Sequence, residues 1–327
     1  MPKSPDSISE SRYQTLETLI CGGVAGSVAK TVIAPFDRVK IHFQVQNPAL
    51  SPYSGRLRGV FHALQMIYKS TGITGVYRGH SAMLLRIFPY AAINYLSYET
   101  FRRGLYEGEP VGQVAWWKRI LAGSLAGSVA VSCTYPLDII RVRLAFDLST
   151  KKGEAGLRRY VQSFQTVASA LASEGRKLFG FPLAGFYQGF LPTLGGILPY
   201  AGVSYFSFES QKSAYRTHIA RNEDADIPLA LKLIMGMLSG ALAQTAAYPL
   251  DVVRRRAQVL RVAPHLRKIH SGRPSALQIL AAVLREHGVR GLFAGLSINY
   301  LKVAPATGVS FVIYEFMREN IFHMPRI

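Results

Sequence analysis

The chain has 327 residues and is 49% hydrophobic but only 17% charged, whereas roughly a quarter of the residues in a soluble domain are charged. Its net charge is +19, yet the basic residues are dispersed through apolar segments, which argues against a nucleic-acid-binding protein. Two cysteines do not support a disulfide framework. A membrane protein that meets an anionic solute and an anionic lipid surface explains this composition better.

The first residues, 1–15, are polar and predict a short tail. They contain neither the apolar core of a signal peptide nor the arginine-rich pattern of a transit peptide. We therefore expect membrane targeting to depend on internal segments.

A six-residue pattern occurs three times, with a proline first, an acid two residues later and a base three residues after the acid. The copies are Pro35-Phe36-Asp37-Arg38-Val39-Lys40, Pro136-Leu137-Asp138-Ile139-Ile140-Arg141 and Pro249-Leu250-Asp251-Val252-Val253-Arg254. Two glycines with a spacing that lets helices approach closely in lipid precede each proline: Gly22 and Gly26, Gly123 and Gly127, Gly236 and Gly240. The pattern predicts three homologous units, which we place at 16–110, 111–222 and 223–320, followed by a tail at 321–327.

Six segments predict membrane helices: 16–44, 80–104, 117–145, 190–214, 229–258 and 296–320. Polar and charged residues interrupt each one, which is typical of helices that line a wet cavity. Pro35, Pro136 and Pro249 lie near the ends of the odd-numbered helices and should kink them. The predicted fold class is an all-α membrane protein.

The even-numbered helices also repeat. Arg86-Ile87-Phe88-Pro89-Tyr90-Ala91 aligns without gaps with Gly196-Ile197-Leu198-Pro199-Tyr200-Ala201 and with Lys302-Val303-Ala304-Pro305-Ala306-Thr307. Further along come three sets of an aromatic residue, an acid and a base: Tyr98, Glu99 and Arg102; Phe208, Glu209 and Lys212; Tyr314, Glu315 and Arg318.

The long connections between odd and even helices are basic and contain a short helix each. By the positive-inside rule they share one side of the membrane, so six crossings place both termini on the opposite side. The middle connection carries an insertion at 176–182, which we expect to be a surface loop and to which we assign no function.

These repeats resemble the mitochondrial carrier family over residues 15–320. The resemblance implies a six-helix barrel with threefold pseudosymmetry and three short surface helices on the matrix side. It also implies a multi-pass transporter of the mitochondrial inner membrane, with the long loops in the matrix and both termini in the intermembrane space. Membrane lipids, with cardiolipin as a candidate, are implied partners. Because two repeats could not close a barrel, we expect a single chain to act as a monomer.

In that family the repeated charges form two gates. The matrix gate, here called the aspartate ring, would pair Asp37 with Arg141, Asp138 with Arg254, and Asp251 with Lys40. The cytoplasmic gate, here called the glutamate ring, would pair Glu99 with Lys212, Glu209 with Arg318, and Glu315 with Arg102. Solvent-facing pairs contribute only about 0–1 kcal/mol each, so substrate binding could open such a ring; the alternative is a static ring that only holds helices together.

Braces across these pairs follow from the same resemblance. Gln44 and Gln258 would brace the aspartate ring, whereas the second repeat has Ala145 at this position. Tyr98 and Tyr314 could brace the glutamate ring through their hydroxyls. His42 replaces the usual second base of the first motif, and we expect it to be surface filler.

The family's substrate contacts fall on Arg86 and Ile87, Gly196 and Ile197, and Lys302 and Val303. A Gly-Ile pair resembles the adenine-nucleotide carriers, in which a flat ring lies against the glycine backbone; the alternative is a glycine kept for helix packing beside Gly195. Lys30 stands where the other repeats have Val131 and Gln244, which favours a ligand role. Asn94 and Tyr90 share a helix face with Arg86, and Tyr200 is the repeat equivalent of Tyr90. Several bases indicate a phosphate compound.

The predicted function is exchange transport of coenzyme A, since the opening of the first repeat resembles the coenzyme A branch. ADP/ATP, ATP-Mg/phosphate, adenosine bisphosphate and NAD remain alternatives, as does a non-transporting membrane adaptor. The sequence contains no hydrolase, nucleotide-hydrolysis or metal-spaced motif, so we expect no enzyme activity, cofactor or metal.

Overall fold

The structure is a computed structural model that describes residues 5–50, 53, 57–107, 114–147, 157–220, 227–263, 265–266 and 274–321. In these ranges the regular structure is helical. The helices are α1 (Pro5–Val45), α2 (Leu57–Val76), α3 (His80–Leu105), α4 (Trp116–Phe146), α5 (Leu157–Phe179), α6 (Phe190–Ala214), α7 (Leu229–Val259), α8 (Ala276–Leu292) and α9 (Leu296–Asn320), with a 3-10 helix at Pro182–Tyr187 and a π-helical turn at Tyr215–Ala220.

The bounds of the six long helices confirm the prediction closely, with one exception. Helices α3, α4, α6, α7 and α9 begin and end within one residue of the predicted segments. Helix α1 begins at Pro5 instead of residue 16, so the predicted tail 1–15 is wrong for most of its length. No glycine or proline lies between Pro5 and Gly22 to end the helix.

The six long helices form a closed ring. Helix α3 packs on α4, α6 packs on α7, and α9 packs on α1, which joins the last helix to the first within one chain. Pro35, Pro136 and Pro249 lie inside α1, α4 and α7 as expected. Near these prolines α1, α4 and α7, the first, third and fifth membrane helices, also contact one another. Their ends share an apolar core formed by Ile41, Val45, Val142, Ala145, Val259, Leu260, Ala263 and Leu266.

A glycine precedes each of α3, α6 and α9, which are the second, fourth and sixth membrane helices, and fixes where that helix starts. Gly79, Gly189 and Gly295 adopt the left-handed conformation, with φ of 84°, 78° and 85°. A side chain at Gly79 would lie 2.6 Å from the carbonyl oxygen of Arg141, and one at Gly189 would lie 2.9 Å from that of Arg254. Only glycine has both the backbone freedom and the small size for this position. The starts of α3 and α6 therefore lie against the backbone of Arg141 and Arg254, two bases of the aspartate ring.

Large apolar side chains cover the outer faces of the long helices. Leu85, Leu96, Leu191, Phe206 and Phe311 are all more than half exposed, as expected of residues that face lipid rather than water. By length and hydropathy alone, α4, α7 and α9 qualify as membrane spans in the described part of the chain. The other long helices include polar and ionisable residues of the kind that line a cavity.

The paired glycines of the odd helices do not make the close helix contacts that we predicted. A Cβ atom added to Gly22, Gly26, Gly123, Gly236 or Gly240 would meet no atom within 4 Å. The close contact instead involves Gly23, where a Cβ atom would lie 2.3 Å from the ring of Phe88 on α3. These five motif glycines therefore face open space and not a neighbouring helix.

Candidate functional site

The three ion pairs predicted for the aspartate ring are present. Arg141 contacts Asp37 at 2.9 Å, Arg254 contacts Asp138 at 2.6 Å, and Lys40 approaches Asp251 at 3.9 Å. Each pair joins two different odd helices, because the acid of one repeat faces the base of the next. The ring therefore closes the barrel at the end where the three prolines lie.

Asp138 is the most heavily bonded acid of the ring, with a side chain that is only 1% exposed. Its carboxylate accepts hydrogen bonds from Arg254 and also from Arg86 and Arg255, at 3.1 and 3.2 Å. Arg255 was not among the predicted gate residues, although the run of three arginines at 254–256 was a visible signal. Three guanidinium groups on one carboxylate make this the strongest point of the ring.

Asp37 is shared in a similar way between a ring base and a predicted substrate base. Its second oxygen accepts a hydrogen bond from the Lys302 ammonium at 2.7 Å, while Arg141 occupies the first. Arg86 and Lys302, the two bases predicted to bind substrate, therefore both hold aspartates of the ring. Lys30 differs from them, because it has no hydrogen bond or ion pair with the described residues.

The Lys40–Asp251 pair is the weakest contact of the ring. Asp251 is 31% exposed and accepts a hydrogen bond from Gln244 at 2.9 Å. Lys40 donates instead to the Asn299 side chain at 3.0 Å. An ion pair at 3.9 Å that is partly exposed adds little stability, so this side of the ring is the least resistant to opening.

The two predicted glutamine braces differ in the structure. Gln258 donates to Asp138 at 3.0 Å and to the Tyr135 hydroxyl at 3.1 Å, and it accepts from Arg255 at 2.8 Å, so it links Asp138 to Arg255 rather than to the predicted partner Arg254. Gln44 is equally buried, but neither atom of its amide has a hydrogen-bond partner in the described part of the chain. The expected brace on the Lys40–Asp251 pair is therefore not formed in this conformation, in which that pair is also the longest.

His42 is fully buried, so its expected place on the surface is wrong. Its ring packs against Phe146, with 5.5 Å between ring centroids. In the second repeat the equivalent base, Arg143, donates to the carbonyl of Gln258 at 3.1 Å. In the first repeat Arg38 makes the corresponding bond to the carbonyl of Ala145, also at 3.1 Å. Arg38 thus makes, from one turn earlier in the first repeat, the link that Arg143 makes in the second.

The interhelical pairs predicted for the glutamate ring are not formed. Glu99 bonds Arg102 at 2.9 Å and Glu209 bonds Lys212 at 3.1 Å, each within its own helix. Glu315 and Arg318 form no ion pair within the described residues. Tyr98 and Tyr314 likewise bond none of the described charges of this ring. Two of the three acids therefore bond only the base one turn away in their own helix, and none of the three bonds a base of another helix within the described residues.

A cavity of 390 Å³ lies between the two rings. Five of the predicted substrate residues line it: Tyr90, Asn94, Gly196, Ile197 and Tyr200. Gln244, Thr193 and Arg254 also line it, and of these only Arg254 was identified in the sequence, as a ring base. The cavity is thus apolar and aromatic around Gly196, and it becomes polar toward the aspartate ring.

The remaining predicted contacts lie outside this cavity. Arg86 sits at its edge, where its guanidinium stacks 5.0 Å from the Tyr90 ring and donates to the Thr134 hydroxyl at 3.1 Å. Ile87 and Val303 are not among the cavity residues, and Val303 is exposed. Of the three predicted contact points only the second, Gly196 and Ile197, lines this cavity, and the sequence did not identify Thr134 as a partner of Arg86.

Comparison with known proteins decides the family. The family model described as mitochondrial carrier protein matches the sequence three times, at residues 11–109, 112–218 and 225–325. The chain belongs to the mitochondrial carrier family. It is accordingly a multi-pass protein of the mitochondrial inner membrane.

Relatives of this carrier match it over almost the whole length of both chains. Mitochondrial carrier protein LEU5 of Saccharomyces cerevisiae is 38% identical over 321 residues, which cover 92% of this chain and 89% of the relative. Solute carrier family 25 member 16 of Bos taurus is 40% identical over 322 residues, with coverage of 95% and 90%. Mitochondrial coenzyme A transporter SLC25A42 of Homo sapiens is 37% identical over 314 residues, again with 95% and 90% coverage.

Proposed function

We propose that this carrier transports coenzyme A, or a closely related adenine nucleotide, across the mitochondrial inner membrane in exchange for another adenine nucleotide. The observation that carries the proposal is the cavity at Gly196 and Ile197, beside a cluster of bases, in a chain with a relative named as a coenzyme A transporter. The apolar end of that cavity suits the adenine ring of such a substrate, and the polar end toward the aspartate ring suits its phosphates.

The adenine ring would occupy the apolar part of the cavity. Gly196 has no side chain, and a Cβ atom there would already lie 3.8 Å from Leu250 across the cavity. Ile197 and the rings of Tyr90 and Tyr200 offer flat and apolar surfaces on which a purine can pack. Asn94 can supply the hydrogen bonds that a purine edge requires.

The phosphates would bind the bases at the edge of the cavity that lies toward the aspartate ring. The ammonium group of Lys30 makes no hydrogen bond or ion pair with the described residues, so we assign it the first contact with a phosphate. Arg86 and Lys302 are already bonded to Asp138 and Asp37, so a phosphate must compete with these carboxylates. Arginine suits phosphate because its fork donates two parallel hydrogen bonds.

That competition would couple binding to opening. If phosphates draw Arg86 and Lys302 away, Asp138 and Asp37 each lose one cation and the aspartate ring weakens. Opening would begin at the Lys40–Asp251 pair, which is longest and has no glutamine brace. Closure at the other end would let Glu99, Glu209 and Glu315 exchange their intrahelical partners for the bases of neighbouring helices. Closing one gate while the other opens is alternating access.

Closing the barrel at the glutamate ring requires α1, α4 and α7 to approach the neighbouring helices, and the paired glycines provide the space for this movement. We predict that Gly26→Val and Gly240→Val leave the purified protein as stable as the wild type, because a Cβ atom at either position meets nothing within 4 Å. Uptake should nevertheless fall strongly, since the added methyl groups would separate helices that must pack. Gly202→Val is the matched control, because Gly202 also faces open space but lies outside the motif. Wild-type uptake by all three variants would contradict this role.

The proposed substrate can be tested with purified protein in liposomes. We expect liposomes loaded with ADP or coenzyme A to take up labelled coenzyme A, and unloaded liposomes to take up much less. Gly196→Leu should abolish uptake because the side chain would fill the adenine site. Gly195→Leu should retain it, because a Cβ atom at Gly195 meets no atom within 4 Å.

The outcome separates the alternatives. Faster uptake of ADP, ATP-Mg, adenosine bisphosphate or NAD than of coenzyme A would make that compound the substrate and leave the adenine site in place. Equal losses in Gly196→Leu and Gly195→Leu would indicate that both glycines serve only helix packing. If correctly inserted protein transports no adenine compound, the proposal fails and the adaptor alternative gains support.

The arrangement in the membrane follows from charge and ring closure. We infer that both termini face the intermembrane space, because the chain crosses six times and the basic connections lie at the aspartate end. We also infer a monomer, since the contact of α9 with α1 closes the barrel within one chain. Protease access to tagged termini in intact mitoplasts, and the mass of the protein in nanodiscs, would check these two inferences.

An anionic lipid is the proposed partner at the matrix surface. A groove of 340 Å³ lies where the first turns of α6 and α8 approach the end of α7, and Gly189, Phe190, Arg261, Ser275 and Ala276 are among its lining residues. Helix N-termini and an arginine together favour phosphate. We expect cardiolipin to raise the melting temperature of the detergent-purified protein, and Arg261→Gln to reduce that rise. An equal rise with phosphatidylcholine would contradict the assignment.

A further inference from the structure

The second repeat contains an insertion, residues 176–182, that the other repeats lack. It lengthens α5 to Phe179, after which the chain turns back at Gly180, whose φ is 80°. The returning chain passes directly over α5 at Gly175, where an added Cβ atom would lie 2.3 Å from the carbonyl oxygen of Pro182. The segment between these two points therefore projects from the body of the carrier.

The projecting segment, here called the α5 loop, combines basic and aromatic residues. Arg176 and Lys177 are exposed, and Phe181 is 56% exposed. No acid occurs from residue 175 to residue 189. The acid just before it, Glu174, is engaged by both terminal nitrogens of Arg143, at 2.9 and 2.7 Å. No acid adjacent in sequence is therefore available to neutralise the charges of Arg176 and Lys177.

The loop joins the carrier at a position that is apolar and exposed in all three repeats. Leu183 follows it and is 67% exposed, while its repeat equivalents Ile73 and Val289 are 66% and 65% exposed. These residues lie just before the even-numbered membrane helices, and Leu191 on the first turns of α6 is also strongly exposed. Such a ring of apolar side chains at the ends of membrane helices faces the bilayer, not water.

We propose that the α5 loop is a membrane-surface anchor in the matrix leaflet. Phe181 enters the lipid at the depth of Leu183, and Arg176 and Lys177 bind the phosphates of anionic lipid headgroups. A basic pair beside an aromatic residue is the combination that binds an anionic interface. The insertion would hold α5 on the membrane while the ends of the barrel move. This inference depends on membership of the carrier family and not on the identity of the substrate.

The test measures the depth of the loop in reconstituted, full-length protein. In a Cys21→Ala/Cys133→Ser background, Phe181→Cys, Leu183→Cys and Ser169→Cys each carry a nitroxide spin label. Leu183 is the lipid-facing reference, and Ser169 is an exposed polar residue of α5. Collision rates with oxygen, which concentrates in lipid, and with a water-soluble nickel chelate are compared in liposomes with and without cardiolipin. The melting temperatures of the labelled proteins, compared with that of the unlabelled wild type, serve as a check of folding.

At position 181 the ratio of oxygen to nickel collisions is expected to match position 183 and to exceed position 169 several-fold. Adding Arg176→Gln/Lys177→Gln should lower the ratio at 181 and abolish its dependence on cardiolipin. A ratio at 181 equal to that at 169 would overturn the proposal, as would a high ratio that is unaffected by both cardiolipin and the two glutamines. Because depth is measured without substrate, a negative result here leaves the transport proposal intact.

Discussion

Replacing Arg86 with alanine is expected to abolish uptake of coenzyme A while the protein still folds and inserts. Arg86 is positioned by Thr134 and by the ring of Tyr90, which lines the cavity of the proposed adenine site. Hydrogen bonds to charged groups contribute roughly 1.5–3 kcal/mol each, so losing a bidentate phosphate contact should reduce transport by more than about tenfold. Uptake into proteoliposomes measures the effect.

The folded state should survive this change because Asp138 keeps two other partners. Arg254 and Arg255 remain on its carboxylate, and Gln258 still donates to it. The melting temperature of the Arg86→Ala variant should therefore stay close to that of the wild type. A large fall in melting temperature would mean that Arg86 has a structural role instead.

Arg86→Lys is the matched control, since it retains the charge but lacks the planar fork. Its uptake should be intermediate. Lys302→Ala should resemble Arg86→Ala, because Asp37 retains Arg141 when Lys302 is removed. Wild-type rates in both alanine variants would show that the phosphates bind elsewhere.

Replacing Asp138 with asparagine should destabilise the carrier more than the same change at Asp251. Asparagine has the same shape but no charge, so the three guanidinium groups around position 138 would be left without a counter-ion in a site that is 1% exposed. Breaking a buried charge pair by removing one partner costs about 3–5 kcal/mol. We expect a clear fall in melting temperature, measured by scanning fluorimetry in detergent.

Asp251→Asn provides the comparison within the same ring. Its partner Lys40 is 3.9 Å away, and the carboxylate is 31% exposed. Pairs of this kind contribute about 0–1 kcal/mol, so the melting temperature should change little. Equal destabilisation by the two variants would contradict the asymmetry of the ring and the proposal that it opens first at Lys40 and Asp251.

Most of the helical framework was predictable because its signals are local. Prolines, glycines and the spacing of charges defined five of the six membrane helices to within one residue, and three repeats of one motif identified the pairs of the aspartate ring. The exception is α1, which begins earlier than its polar first residues predict, because no glycine or proline between Pro5 and Gly22 interrupts the helix. The position of Gly196 and Ile197 at the level of Arg86 was predictable for the same reason, since it rests on an ungapped alignment of repeats, and their contact with substrate stays a prediction.

Contacts that break the threefold repeat were not predictable. Arg38 takes over the link that Arg143 makes in the next repeat, and His42 is buried against Phe146 instead of lying on the surface. Both depend on how one particular helix end packs, so the other two copies of the motif do not report them. The unformed glutamate ring is a different case, because the partners of its charges depend on which end of the barrel is open.

The sequence by itself determined that three similar units each contain two long helices with opposite charges at two levels, because those properties depend on residue spacing along each helix. Only the tertiary structure decided that Arg86 and Lys302 hold the aspartates of the ring, that Asp138 collects three arginines while Asp251 has one distant lysine, and that the glycine pairs face open space. Ion pairs between residues 52 to 265 positions apart depend on distances through space, and near-equivalent acids acquire different strengths only when the surrounding helices are in place.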